Sequence, residues 1–222
     1  MKKQSGFTLV EIAIVLVIIG LLLGGVLKGQ ELITQAKIKN VSNDLNGIVS
    51  AIYSYQDRYK RLPGDDPGMT RWTVAGAALT AGQSGDGNNV IGAAGAGYQS
   101  IADADENRKF WLALRLAGFV AGSTATIAEG STQPLNAAGG IVGVQSGALG
   151  LSGTVVCVGS LPAKIAQAID AQMDDGQLLT GSVRSQIEGA APPTPVAAAA
   201  LPAGTANYVD NGTNLYTLCK NI

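Results

Sequence analysis

The stretch Lys2-Lys3-Gln4-Ser5-Gly6-Phe7-Thr8-Leu9-Val10-Glu11, followed by an uncharged run from Ile12 to Leu27, decides how the rest of the chain is read. Two lysines precede a small-residue junction at Ser5-Gly6, and one carboxylate, Glu11, stands near the head of the apolar segment. As a helix, residues 7–27 extend about 31 Å, the thickness of a bilayer's hydrocarbon core. A secretory signal peptide has a shorter apolar region and a small-residue cleavage site before polar sequence; this run is longer and has no such site. A plain signal anchor fits the length and places Lys2 and Lys3 on the cytoplasmic side, but it leaves Glu11 unexplained. A carboxylate in an apolar span is costly, so it either reaches interfacial water or meets a partner cation. A cut after Gly6 would create such a cation at the α-amino group of Phe7, within reach of Glu11 on an axially shifted neighbouring helix. Inside a dry helix bundle that pair would neutralise both charges and set the stagger between neighbours.

Gly6-Phe7-Thr8-Leu9-Val10-Glu11 behind a short basic leader resembles the processing site of the type IV pilins and related pseudopilins. The resemblance implies that a prepilin peptidase cuts between Gly6 and Phe7 and methylates the new amine of Phe7. It also implies that Glu11 aligns subunits during assembly. The implied partners are copies of the chain and other pilins in a helical filament, the peptidase, and an inner-membrane assembly platform. The resemblance is close over the first 30 residues and looser over the amphipathic helix beyond. Many major pilins carry a proline in the first helix, whereas no proline occurs here before Pro63. Two pairs of glycines four apart, Gly20 with Gly24 and Gly25 with Gly29, are expected to let helices approach closely in lipid.

Beyond Lys28 the character changes without a helix breaker. Val41, Leu45, Ile48, Ile52, Tyr55 and Tyr59 step by four and three, an apolar stripe on one face, with Lys39, Asn43, Asn46, Ser50, Ser54 and Asp57 opposite. The spacing predicts one helix from Phe7 to Tyr59, roughly 80 Å long. Its second half packs on a globular domain, since the stripe is too short for a coiled-coil seam. Leu62-Pro63-Gly64-Asp65-Asp66-Pro67-Gly68 stops it. A short helix is expected from Glu106 to Ala117, ended by Gly118, and another opened by Pro162, with Ile165, Ile169 and Met173 on one face. β-type runs fall around 140–144 and 154–158. A closing hairpin is expected around Asp210-Asn211-Gly212, pairing Tyr208-Val209 with Leu215–Cys219. The blocks Leu62–Asp65, Gly85–Asn88, and Glu106-Asn107 with Phe110-Trp111 resemble a subset of prepilin-like bacterial proteins, a resemblance that implies no defined activity.

The composition narrows the functions open to the head. Fifteen basic against 16 acidic side chains give a net charge of -1, with no electrostatic case for nucleic acid. There is no histidine, which removes the commonest general base and neutral metal ligand and argues against an enzyme. Cys157 and Cys219 cannot close a zinc site alone. In an oxidising compartment they read as one disulfide, the alternative being two buried thiols. No cofactor is expected. The resemblance makes calcium the one ligand hypothesis, since some pseudopilins of type II secretion bind it in a C-terminal loop: Asp86 with Asn88, or Asp174 with Asp175, offer oxygen ligands, although turn Asp and Asn more often cap their own backbone. The run Asp103-Ala-Asp105-Glu-Asn107 begins like a calcium loop but carries Arg108 where glycine is needed and Leu114 where a glutamate is needed. Trp72, Tyr98, Trp111 and Tyr208 read as core anchors or a binding patch.

The expected fold class is α+β: a long N-terminal helix packed on a loop-rich head with a small antiparallel sheet. The expected organisation is a leader at 1–6, the helix at 7–60 with 7–27 as membrane span or filament core, and the head at 61–222. The function expected is a structural subunit of a type IV pilus-like filament, held in the bacterial inner membrane with its head in the periplasm before assembly. Two alternatives remain open: a pseudopilin of a type II secretion system, and an uncleaved single-span anchored binding protein.

Overall fold

A computed structural model of the chain describes residues 8–92, 97–188 and 207–222. Two compact units emerge, Met1–Lys37 and Ile38–Ile222, and one continuous helix, α1 (Leu9–Tyr59), contributes to both.

In the first unit every residue of α1 up to Lys28 is exposed. With Leu9, Leu16, Val17 and Leu21–Leu23 all turned to the outside, this half is long and apolar enough to cross a membrane.

From Ile38 onward α1 is one-sided, as the four–three spacing requires. Ile38, Val41, Leu45, Ile48, Ile52 and Tyr55 are buried in the main core of the second unit. Lys60 takes a left-handed φ of 55° and ends the helix. Asp66 then secures the chain reversal. Its carboxylate accepts from the Tyr55 hydroxyl (2.7 Å) and the Gly68 N–H (2.8 Å) and pairs with Arg71 (2.7 Å). A short ladder of β1 (Thr73–Val74) and β2 (Ala77–Ala78) follows.

Helix α2 (Glu106–Leu116) buries Phe110, Trp111 and Leu114 and stops at Gly118, which sits at φ +78°. A one-turn helix, α3 (Ile127–Ser131), packs beside it. The sheet contains β3 (Val142–Ala148), β4 (Leu151–Pro162), β5 (Val183–Ile187) and β6 (Leu215–Asn221), in the order β3-β4-β6-β5, antiparallel throughout. Helix α4 (Ala163–Met173) starts immediately after Pro162. Val144, Val156, Val158 and Leu218 on one sheet face join the core shared with α1, α2 and α4. Val155, Cys157 and Cys219 on the other lie under Tyr98, Leu149 and Leu151. With both faces covered, Val155-Val156-Cys157-Val158 reads as an unbroken apolar run instead of an alternating strand. The mixed helix-and-sheet architecture agrees with the expected fold class.

One expectation is corrected. Tyr208 and Val209 form no strand, so there is no closing hairpin. The Asn211 Oδ1 accepts from the N–H groups of Thr213 and Asn214 and turns the chain by itself. The Val209 N–H donates to the Tyr216 hydroxyl rather than to a ladder. β6 instead inserts between β4 and β5, the edge strand being supplied by Val183–Ile187.

Candidate functional site

The N-terminal site is built on the first turn of α1. Glu11 Oε2 accepts from the Thr8 N–H and from Thr8 Oγ1, both at 2.8 Å, and the Glu11 N–H donates to Thr8 Oγ1 at 3.3 Å. This reciprocal arrangement is a capping box, which satisfies two otherwise orphaned donors at the helix start. Thr8-x-x-Glu11 before an apolar run is its sequence signature, a role for Glu11 that its reading as an assembly residue passes over. Both side-chain bonds fall on Oε2, and Oε1 takes no part in them. Gly6 and Phe7, the expected cleavage and methylation positions, lie outside the described residues.

The family described as the prokaryotic N-terminal methylation motif matches residues 1–27. The chain carries the type IV pilin and pseudopilin signal. No curated protein and no solved structure matches the chain.

Behind that pilin signal, Gly20, Gly24, Gly25 and Gly29 have nothing within 4 Å of where a Cβ would sit. Among the described residues, nothing packs closely enough to require these glycines. The two pairs are offset by five residues along the helix, so their open patches point about 140° apart around the axis.

In the head, the three sequence blocks that resemble prepilin-like proteins converge. Asp65 is buried and receives the backbone N–H groups of Gly87 (2.7 Å), Asn88 (3.0 Å) and Asn89 (2.7 Å). Glu106, at the start of α2, accepts from the N–H groups of Asp86 (3.1 Å) and Gly92 (3.3 Å). Glycine is required where the segments cross: a Cβ on Gly85 would lie 2.3 Å from the Asp65 backbone. Oxygens of Asp65, Asp86 and Glu106 lie within 4.8 Å of one another. Lys109 lines the same cavity as Asp86 and Glu106 and donates to the Ser84 carbonyl at 2.8 Å. Burial pushes the Asp65 and Glu106 carboxyls above their ordinary values and the Lys109 ammonium below its own. Of the two calcium candidates here, Asp86 joins this group. Asn88 instead donates through Nδ2 to Asp86 (2.8 Å) and accepts the Val90 N–H (2.7 Å). Asp103 pairs with Arg108, and Asp105 accepts from the Ser100 hydroxyl.

The other two candidates, Asp174 and Asp175, meet a third carboxylate that the sequence reading passes over. One oxygen each from Asp170, Asp174 and Asp175 lies within 4.8 Å of the others. Asp170 is fully buried on α4, four residues after buried Ala166. A charged residue inside a helix's buried stripe is the signal that could have found it. Burial raises its carboxyl to about 6, with Asp175 and Asp174 adding to the effect and the Tyr208 hydroxyl opposing it.

Cys157 and Cys219 form the disulfide, bridging directly paired residues of β4 and β6. The four aromatic residues make no common patch. Trp111 and Tyr98 are buried in different clusters, Trp72 packs on Tyr59, and Tyr208 packs on Tyr216.

Proposed function

We propose that the chain is a structural subunit of a type IV pilus-like filament. The observation that carries this reading is the pairing of the methylation motif with an apolar half-helix whose surface no described residue covers. Prepilin peptidase removes residues 1–6 and methylates Phe7, and an inner-membrane platform then stacks subunits through residues 7–27. The head stays on the periplasmic side before assembly and on the filament surface after it. Losing Lys2 and Lys3 would take the net charge from -1 to about -3.

The chemistry of the half-helix supports stacking. Lipid already satisfies apolar side chains, so helix association there depends on close packing and polar pairing. The open patches at Gly20/Gly24 and Gly25/Gly29 suit two different neighbours around one helix. Glu11 Oε1, outside the capping box, is available to the Phe7 amine of an adjacent subunit while Oε2 keeps its hold on Thr8. No catalytic step and no cofactor belong to this reading.

Replacing Glu11 with Ala tests it: membrane insertion stays normal and filament assembly is lost. Filaments formed at wild-type levels by Glu11→Ala would refute the role assigned to the carboxylate. A pseudopilin of type II secretion would use the same helix, so the same variant would then abolish secretion with no loss of surface pili.

A further inference from the structure

We propose that Tyr53 of one subunit inserts into a cleft beside α1 of a second copy of the chain, so that heads join flank to flank. Such a contact presupposes the filament reading and gives the heads their own part in it.

The cleft belongs entirely to the second compact unit. It encloses about 310 Å³, with Asp44, Gly47 and Ile48 of α1 on one side and Trp111, Phe119 and Leu135 on the other. Its walls are mostly apolar, and Leu135 is 66% exposed. Two polar groups along it are unmatched. The buried Trp111 Nε1 has no hydrogen-bond partner among the described residues. Burial raises the Asp44 carboxyl above its ordinary value, with no donor from the described residues to offset it. Apolar walls beside a bare acceptor fit an occupant with an apolar body and a hydrogen-bond donor at its tip.

Tyr53 has that form. Tyr55 and Tyr59 on the same helix pack in or against the core, whereas Tyr53 is 55% exposed. Asp44 and Tyr53 are nine residues apart, which turns them about 180° around the helix. The buried positions Leu45 and Ile52 lie between those two directions. Knob and cleft therefore occupy opposite flanks of α1, and Tyr53 faces away from the cleft of its own chain. It meets a neighbour's cleft when the neighbour is displaced along the helix by five to nine residues, about 8–14 Å. The Cα–Cβ bond of a helical residue tilts toward the N-terminus, which aims the Tyr53 ring toward the level of Gly47 and Ile48.

A knob on one flank and a hole on the other make a heterologous contact. Every subunit then gives one side chain and receives another, and the contact repeats along a helix instead of closing as a dimer. The displacement has the same sense as the pairing of Glu11 with Phe7. In both contacts one subunit supplies the higher-numbered residue and the next supplies the lower-numbered one.

Photo-crosslinking in filaments tests the contact. A chain with p-benzoylphenylalanine in place of Tyr53 keeps an aromatic knob and is co-expressed with the parent chain. Irradiated filaments are expected to give covalent multimers whose crosslinked peptides carry residues 43–48, 111–120 or 134–135 of a second chain. Gly47→Trp has open space at its Cβ, so the full chain in detergent should melt no lower than the parent. By filling the cleft it is expected to lower the yield of sheared filaments about tenfold or more, as is Tyr53→Ala. Gly47→Trp keeps the experiment decisive if the labelled chain stays out of filaments. Filaments of Gly47→Trp or Tyr53→Ala at parent yield would overturn the contact and leave the filament reading standing. So would crosslinks that stay within one chain, or that join position 53 to the Tyr53 flank of a second chain. A parent chain that forms no filament would overturn both.

Discussion

Cys157 on β4 and Cys219 on β6 stand directly opposite each other, 4.1 Å apart at Cα and joined by a disulfide. The bond fixes the C-terminal strand in the middle of the sheet, between partners far away in sequence. The disulfide links positions 62 residues apart. In the chain-entropy model a loop of that size stabilises by about 4 kcal/mol. Reduction, or the Cys157→Ser/Cys219→Ser double variant, is expected to lower stability by about 2–4 kcal/mol in chemical denaturation. An unchanged midpoint would show that strand pairing alone holds β6.

Gly85 and Gly24 should respond in opposite ways. Gly85→Ala forces a Cβ to within 2.3 Å of the Asp65 backbone and is expected to cost about 2 kcal/mol or more, by overpacking. A Cβ at Gly24 would meet no described residue within 4 Å, so the isolated Gly24→Leu subunit should melt as the parent does. Filament yield should fall, because the added side chain blocks close helix approach. Denaturation curves of both variants, with pelleting of sheared filaments for Gly24→Leu, provide the readout.

Burial holds the Glu106 carboxyl above its ordinary value, with the nearby Asp86 and Asp65 charges adding to the effect. The folded chain therefore retains this proton to higher pH than the unfolded chain does. Glu106 contributes stability below the unfolded value, about pH 4.3, and that contribution is lost as pH rises through the raised folded value. Glu106→Gln should flatten the decline in melting temperature across that range. An identical pH slope in parent and variant would contradict the assignment.

The helical parts of the fold were legible because their signals are local. The stripe from Val41 to Tyr55 repeats at helical spacing and is buried as read. Pro162 and Gly118 punctuate α4 and α2 where their backbone chemistry demands. The sheet was less legible because its order depends on distant partners. β5 contains Arg184, Ser185 and Gln186, too polar to stand out, and buried Ser185 accepts from the Tyr208 hydroxyl. Ser160, at φ 56°, sits where the β4 register shifts, so the strand runs past the short 154–158 stretch read from apolar residues. At the candidate sites, Asp86, Asp174 and Asp175 could be seen as turn residues. The carboxylates that complete their groups, buried Asp65 and Asp170 and half-buried Glu106, could not be separated from ordinary helix and loop acids without the packing around them.

Processing at Gly6–Phe7 for assembly through α1 is read out by intact mass spectrometry of the protein recovered from membranes and sheared filaments. The expected species begins at Phe7, carries one added methyl group and retains the Cys157–Cys219 bond. A protein still beginning at Met1 or Lys2 in both fractions would contradict the account and leave an anchored single-span protein in its place.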